Sequence, residues 1–208
     1  MLEILAVRYG LDDGDGGLEV LFGGGSAGAM GAHLDSAMVR EALPAAAADR
    51  RVRLFVDAGW LTDWDDPEHR IGAAWLTDRE VWGAARGFWG ATFDPGCEAA
   101  TLDPADCFFG PGWYPFVSAA MPTFVQQSNV DSSFLSVHGI APEDVAATAA
   151  WRAEVVDSLA GVQWLYSGSA SYHTLGVGDG FSLGPAGRTL RETLGRFWAD
   201  GEPERVEF

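Results

Sequence analysis

Short apolar runs alternate with amphipathic segments along this chain of 208 residues. Four runs are bounded by glycine or polar residues, as the buried strands of a parallel sheet are: residues 18–22, 52–59, 122–128 and 162–169. Apolar residues recur at helical spacing in four other segments: residues 29–43, 77–89, 142–159 and 189–200. This order predicts an α/β fold, in which a parallel sheet carries helices on its faces.

The remaining segments are less regular. Residues 2–8 have helix-like spacing, and residues 11–17 (LDDGDGG) predict a turn, because the twelve-residue pattern of a calcium loop is absent. Residues 62–121 are rich in Trp, Gly and Pro. They are too long for a plain loop in a compact domain, so we expect an insertion or cap within a single domain that spans residues 1–208.

Composition excludes several classes of protein. Apolar residues make up 48% of the chain, as in a globular protein, yet no run is long enough to span a membrane. The first nine residues, MLEILAVRY, lack the apolar stretch of a signal peptide. The net charge is −17 and all 13 basic residues are arginine, which argues against binding to nucleic acid or to anionic lipid.

The two cysteines, Cys97 and Cys107, have nine residues between them. They could be two buried thiols or a local disulfide. No histidine or second cysteine pair lies at ligand spacing, so we expect no metal site.

The motif Gly24-Gly25-Ser26-Ala27-Gly28 lies between a predicted strand and a predicted helix, which is the context of a nucleophile elbow. Such a turn lifts the serine hydroxyl above the sheet. Small residues are expected at Gly24 and Gly28, because the helix and a neighbouring strand pass close to the turn. The Ala27 N–H, at the start of the helix, would stabilise an oxyanion.

A nucleophilic serine needs a base and a carboxylate that orients it, and on this fold they follow in the order Ser, Asp, His. Asp131 follows the third predicted strand and His173 follows the fourth, so both lie at the carboxyl ends of strands. Asp57, at the end of the second strand, is the competing acid. Its position favours a bracing role, and we predict Asp131 as the acid.

The other three histidines are weaker candidates for the base. His33 lies inside the helix after the motif and is predicted to pack there. His69, in the charged run DDPEHR, is predicted to be solvated. His138 follows the third strand and remains the alternative to His173.

The chain resembles the pectin acetylesterase/Notum family of α/β-hydrolases in ordered blocks of sequence. The blocks are GGGSAGAMGAHLDSAMVREALP followed by VRLFVDAGWLTD, then ADCFFGPGWYPFV, MPTFVQQSNVDSSFL and SASYHTLGV. The resemblance implies a serine carboxylesterase without a cofactor, with Ser26, Asp131 and His173 as its catalytic residues. It also favours a Cys97–Cys107 disulfide and a secreted protein.

The resemblance leaves the substrate open. The acyl group is expected to be short, as in acetylated pectin or a related polysaccharide, or to be a longer lipid ester on a protein. Four tryptophans of the insertion could stack on sugars, although such residues more often belong to the core: Trp75, Trp82, Trp89 and Trp113.

Members of this family extend further at the N-terminus, where they hold early strands and a glycine-rich loop with a second oxyanion donor. We therefore expect this chain to lack its N-terminal part and residues 18–22 to form an edge strand. On that expectation, the 208 residues alone fold poorly and catalyse poorly.

Two alternatives come from other classes of function. GGGSAGAMG also resembles the phosphate-binding segment of cytokinin-activating phosphoribohydrolases, but their later P-G-G-x-G-T segment is missing here. A binding domain that kept the hydrolase fold without its activity is the other alternative.

Overall fold

The computed structural model describes residues 10–12, 18–72, 75–169, 171–176, 178–182, 184–185 and 188–208. The helix predicted at residues 2–8 lies outside the described residues, and so does most of the turn predicted at residues 11–17.

One parallel sheet of five strands organises the described residues, and the strands lie side by side in chain order. The strands are β1 (Val20–Gly25), β2 (Val52–Asp57), β3 (Thr123–Gln126), β4 (Trp164–Ser167) and β5 (Arg205–Glu207). The predicted α/β fold with a parallel sheet is confirmed. The first four strands follow the four apolar runs, whereas β5 was not predicted. Among the described strands, β1 pairs only with β2 and lies at one edge of the sheet.

Nine α-helices connect the described strands. They are α1 (Ala27–Leu34), α2 (Ser36–Ala42), α3 (Pro44–Ala48), α4 (Asp78–Trp89), α5 (Pro95–Ala100), α6 (Gly110–Ala120), α7 (Ser132–Val137), α8 (Val145–Ser158) and α9 (Leu190–Trp198). Short 3₁₀ turns cover Pro104–Phe108 and Gly178–Ser182. The single helix predicted over residues 29–43 is in fact two, because the chain leaves helical geometry at Asp35 (ψ 0°). Among the described residues, no helix is long and apolar enough to cross a membrane.

The segment between β2 and β3 is more regular than its composition indicates. Helix α4 begins where predicted, because Thr77 and Glu80 form a reciprocal capping box at its first turn. Helix α6 was not predicted, since Pro111 and Pro115 interrupt its sequence. Pro111 is tolerated in the first turn, and the buried Trp113 and Val117 hold the rest of the helix against the core.

Alternating side chains bury both faces of the sheet. Leu54, Val56, Val125 and Leu165 point into one apolar cluster, together with Trp113. Their neighbours along the strands, among them Phe124 and Tyr166, point into a second cluster that α9 covers. Burial on both faces explains why these strands read as continuous apolar runs.

Candidate active site

The turn at Ser26 joins β1 to α1 within a single residue. Ser26 has φ 57° and ψ −129°, a backbone geometry that is strained for any residue other than glycine. Its N–H donates to the Asp57 carbonyl oxygen at 2.8 Å. Its own carbonyl accepts from the N–H groups of Ala29 (2.9 Å) and Met30 (3.2 Å), which starts the helix. The turn is therefore held from both the sheet and the helix.

Glycine is required beside Ser26 at one of the two expected positions. A β-carbon at Gly24 would lie 2.5 Å from the carbonyl carbon of Gly28, closer than atoms can approach. A β-carbon at Gly28 itself would meet no atom within 4 Å among the described residues. The expected crowding is therefore present at Gly24, where the strand passes the helix, and is not found at Gly28 in the described part of the chain.

Ser26, His173 and Asp131 form a continuous hydrogen-bonded chain. His173 Nε2 lies 2.6 Å from Ser26 Oγ. His173 Nδ1 lies 2.8 Å from Asp131 Oδ2 and 2.9 Å from Oδ1. Because a carboxylate accepts hydrogen bonds, this arrangement places the proton on Nδ1 and leaves Nε2 to accept from the serine hydroxyl.

Asp131 is fixed in place by the start of α7. Its Oδ1 accepts from the N–H groups of Ser133 (2.9 Å) and Phe134 (3.3 Å), and Gln127 Nε2 donates to its Oδ2 at 3.3 Å. The residue is completely buried. Burial raises the pKa of the Asp131 carboxyl, and the hydrogen bonds from His173 and α7 act in the opposite direction.

A cavity of about 260 Å³ opens beside the serine hydroxyl. Ala27 lines it together with Ser26 and His173. As the first residue of α1, Ala27 has an N–H without a partner inside the helix. The cavity wall is mainly apolar and comes from α1, the loop before α4, α4 itself and α7: Met30, Ile71, Val81, Trp82, Phe134 and Val137. Of these wall residues, the sequence analysis singled out only Trp82, as a side chain that could stack on a sugar.

The alternative base, His138, lines the same cavity but makes no hydrogen bond to Ser26. Its Nε2 lies 2.9 Å from Asp78 Oδ2, and its Nδ1 lies 2.8 Å from the Phe134 carbonyl oxygen. Both nitrogens of the buried ring are therefore occupied. Burial opposes a charge on His138, but the Asp78 carboxylate outweighs it and raises the pKa of the imidazole.

The other two histidines have structural surroundings. His33 is buried and stacks on Trp113, with ring centroids 4.6 Å apart, and burial lowers its pKa to about 3. Trp113 is thus a core residue and is not available to a sugar, whereas Trp75 and Trp89 are exposed.

His69 was predicted to be solvated, but the structure shows it only partly exposed. Its ring stacks on Trp64, and its Nδ1 lies 3.2 Å from Asp66 Oδ2.

Asp57, the competing acid, does not bind the His173 ring. Its carboxylate accepts from the backbone N–H groups of Leu175 (3.1 Å) and Gly176 (2.6 Å). The sequence analysis missed this contact, because it joins positions more than a hundred residues apart.

Cys97 and Cys107 are joined by a disulfide, with Cα atoms 6.0 Å apart. It ties α5 to the 3₁₀ turn before α6. In the described residues, no group of three His, Cys, Asp or Glu side chains could hold a metal ion.

Comparisons with known proteins give a family from the sequence and a fold from the structure. The pectinacetylesterase family model matches residues 7–164. Two crystal forms of the Wnt deacylase Notum from Drosophila have the same fold, with TM-scores of 0.81 and 0.79 and 22% sequence identity. The matches cover 99% and 95% of this chain, which spans only 59% and 58% of those chains. A search of curated proteins by sequence found no match. The family model covers most of the sequence, and the chain therefore belongs to the pectinacetylesterase family.

Proposed function

We propose that this protein is a serine carboxylesterase in which Ser26, His173 and Asp131 act as a catalytic triad. The observation that carries the proposal is the pair of short contacts, 2.6 Å and 2.8 Å, that link the three side chains at a strained turn beside a cavity. Membership of the pectinacetylesterase family supports the same chemistry.

The proposed reaction proceeds through an acyl-enzyme. Ser26 Oγ attacks the ester carbonyl carbon as His173 Nε2 takes its proton, and the Ala27 N–H stabilises the oxyanion. His173 then gives the proton to the alcohol, which leaves. Water attacks the acyl-Ser26 carbonyl with His173 again as base, which releases the acid and restores the serine. Asp131 holds the imidazole in the required tautomer throughout.

Family membership supports O-acetyl groups of pectin or a related polysaccharide as the substrate. The segment between β2 and β3 supplies Ile71, Val81 and Trp82 to the cavity wall, and we propose that it acts as a cap over the acyl group. The Cys97–Cys107 disulfide supports an oxidising, extracellular location.

The size of the cavity favours a second candidate, an ester with a longer acyl chain. A water molecule occupies about 30 Å³ in the liquid. The 260 Å³ beside Ser26 would therefore hold several methylene groups beyond an acetyl group. Each buried methylene contributes roughly 0.8 kcal/mol, which corresponds to about a fourfold gain in kcat/KM.

A series of p-nitrophenyl esters tests the proposed function and separates the two candidate acyl groups. We expect hydrolysis by the wild-type protein and none by Ser26→Ala. If the cavity binds the acyl chain, kcat/KM rises from acetate through butyrate to hexanoate. If kcat/KM is highest for acetate and acetate is released from acetylated pectin, the acetylesterase candidate is correct. Equal hydrolysis by Ser26→Ala would contradict both.

A further inference from the structure

The carboxylate of Asp57 bridges β2 to the segment that carries His173. Asp57 is buried, and its two oxygens accept hydrogen bonds from successive backbone N–H groups, Leu175 to Oδ1 and Gly176 to Oδ2. These residues lie two and three positions after His173. We infer that Asp57 is a positioning residue that sets the His173 imidazole against the Ser26 hydroxyl. The inference rests on the proposed function, in which His173 is the base.

The backbone of the same residue holds the nucleophile. The Asp57 carbonyl oxygen accepts from the Ser26 N–H at 2.8 Å, and Asp57 pairs with Gly25 in the register of β1 and β2. One residue therefore binds the nucleophile turn through its backbone and the base segment through its side chain. A displacement of the Asp57 side chain would change the distance between Ser26 Oγ and His173 Nε2.

The orientation of Asp57 is itself fixed. The next residue, Ala58, has φ 56°, and its N–H donates to the Gln126 carbonyl oxygen at 2.9 Å. A left-handed conformation costs about 1–2 kcal/mol in a residue with a β-carbon, so the surrounding contacts must hold it. The end of the Gln126 side chain also faces the Asp57 carboxylate, and we assign its amide nitrogen to this position because a carboxylate can only accept a hydrogen bond. These contacts aim the carboxylate at the His173 segment.

Glycine at position 176 permits the close approach. A β-carbon there would lie 2.6 Å from Asp57 Oδ2 and 3.1 Å from the Phe55 ring. Any larger residue would push the segment away from β2. The short contact between Gly176 N and Asp57 Oδ2 therefore depends on both residues, which gives two independent ways to disturb it.

Asp57 and Asp131 hold the base through different hydrogen bonds. Burial raises the pKa of the Asp57 carboxyl, and the nearby Asp131 carboxylate adds to the rise, while the hydrogen bonds from the Leu175 and Gly176 amides act in the opposite direction. Asp131 binds the imidazole directly, whereas Asp57 binds only the backbone that follows it. Replacement of Asp57 should therefore shift the His173 imidazole but leave its hydrogen-bond partner, Asp131, in place.

The substitution Asp57→Asn tests the inference. The single oxygen of the asparagine amide can accept from only one of the Leu175 and Gly176 N–H groups. Its NH₂ group would face the other N–H, and because two donors cannot bond to each other, the segment must shift. A misplacement of about 1 Å typically costs on the order of 10²-fold in rate. We expect kcat to fall by about 10–100-fold with KM unchanged. The matched control is Asp94→Asn, another buried carboxylate, which caps α5 away from the cavity. The control should lower the unfolding temperature and leave kcat unchanged.

A double-mutant comparison separates positioning from general loss of structure. If Asp57 acts through His173, adding Asp57→Asn to His173→Ala leaves the residual rate of His173→Ala unchanged. The inference is overturned if Asp57→Asn lowers the residual rate of His173→Ala as much as it lowers the rate of the wild type. It is also overturned if Asp57→Asn alone has wild-type kcat.

If Asp57→Asn does not fold, Gly176→Ala is the substitute, because it disturbs the same contact from the other side. We expect it to lower kcat in the same way, and wild-type kcat in that variant would overturn the inference. The proposed function has a separate test. A Ser26→Ala variant that still hydrolyses the ester would contradict it, whatever the result for Asp57→Asn.

Discussion

The contact between Gly24 and α1 leads to a sharp prediction, because a single methyl group there disturbs the nucleophile turn directly. In Gly24→Ala the new β-carbon would lie 2.5 Å from the Gly28 carbonyl carbon, 2.6 Å from its oxygen and 2.9 Å from the Ala29 nitrogen. Ordinary contact begins at 3.4 Å, so strand and helix must separate by about 0.9 Å. All three atoms belong to the backbone, which cannot turn aside as a side chain could. Ser26 lies between the two elements and must move with them.

The expected magnitude follows from that displacement. Overpacking of this kind costs roughly 1–3 kcal/mol of stability, which lowers the unfolding temperature by roughly 2–12 °C in a protein of this size. A shift of nearly 1 Å in the nucleophile should lower kcat/KM by on the order of 10²-fold. Thermal unfolding followed by circular dichroism and hydrolysis of p-nitrophenyl butyrate measure the two effects.

Gly28→Ala is the matched control, since it adds the same methyl group four residues away. The new β-carbon meets no described atom within 4 Å, and alanine favours a helix over glycine by up to about 1 kcal/mol. We expect wild-type kcat/KM and equal or higher stability. The reasoning is refuted if Gly24→Ala matches the wild type in both measurements, or if Gly28→Ala is as damaging.

Three further predictions concern the acid, a buried histidine and the disulfide. Asp131→Asn should lower kcat by about 10⁴-fold while circular dichroism shows a folded protein, because the amide no longer fixes the His173 tautomer; wild-type kcat would exclude Asp131 as the acid. The folded-state pKa of His33, about 3, lies below the unfolded value of 6.5, so its contribution to stability is lost as pH falls below 6.5. Between pH 6.5 and 4.5 the unfolding free energy of the wild type should fall by roughly 2 kcal/mol more than that of His33→Phe, as denaturant titrations would measure; parallel pH dependences would contradict this. Replacing both Cys97 and Cys107 by alanine should lower the unfolding free energy by about 2–3 kcal/mol, and two free thiols by mass analysis of secreted protein would contradict the bridge.

Sequence alone was sufficient where a local pattern has one physical solution. The apolar runs predicted four of the strands, since strands buried on both faces must be continuously apolar. The sequence did not predict β5, because this strand buries only Val206 and the residues on either side of it are charged. The sequence also did not predict α6, where Pro115 argues against a helix and the burial of Trp113, Tyr114 and Val117 supports one.

For the candidate site, the sequence predicted the three central residues but not the contacts that support them. The elbow motif and the order of strands predicted which residues would meet, and the structure brings Ser26, Asp131 and His173 together. The support around them was not predictable from sequence. Asp57 could be seen to end a strand, but its partners, Leu175 and Gly176, lie on a segment that only the folded chain brings near. The contact that occupies His138 Nε2 also depends on a distant residue, Asp78.

The central claim is that Ser26 is the nucleophile, and a fluorophosphonate probe tests it most directly. The probe forms a covalent bond only with an activated serine, so folded protein should be labelled once and peptide mapping should place the label on Ser26. Ser26→Ala should then show no labelling and a loss of activity on the order of 10⁶-fold. Labelling at another serine, or a Ser26→Ala variant as active as the wild type, would contradict the account.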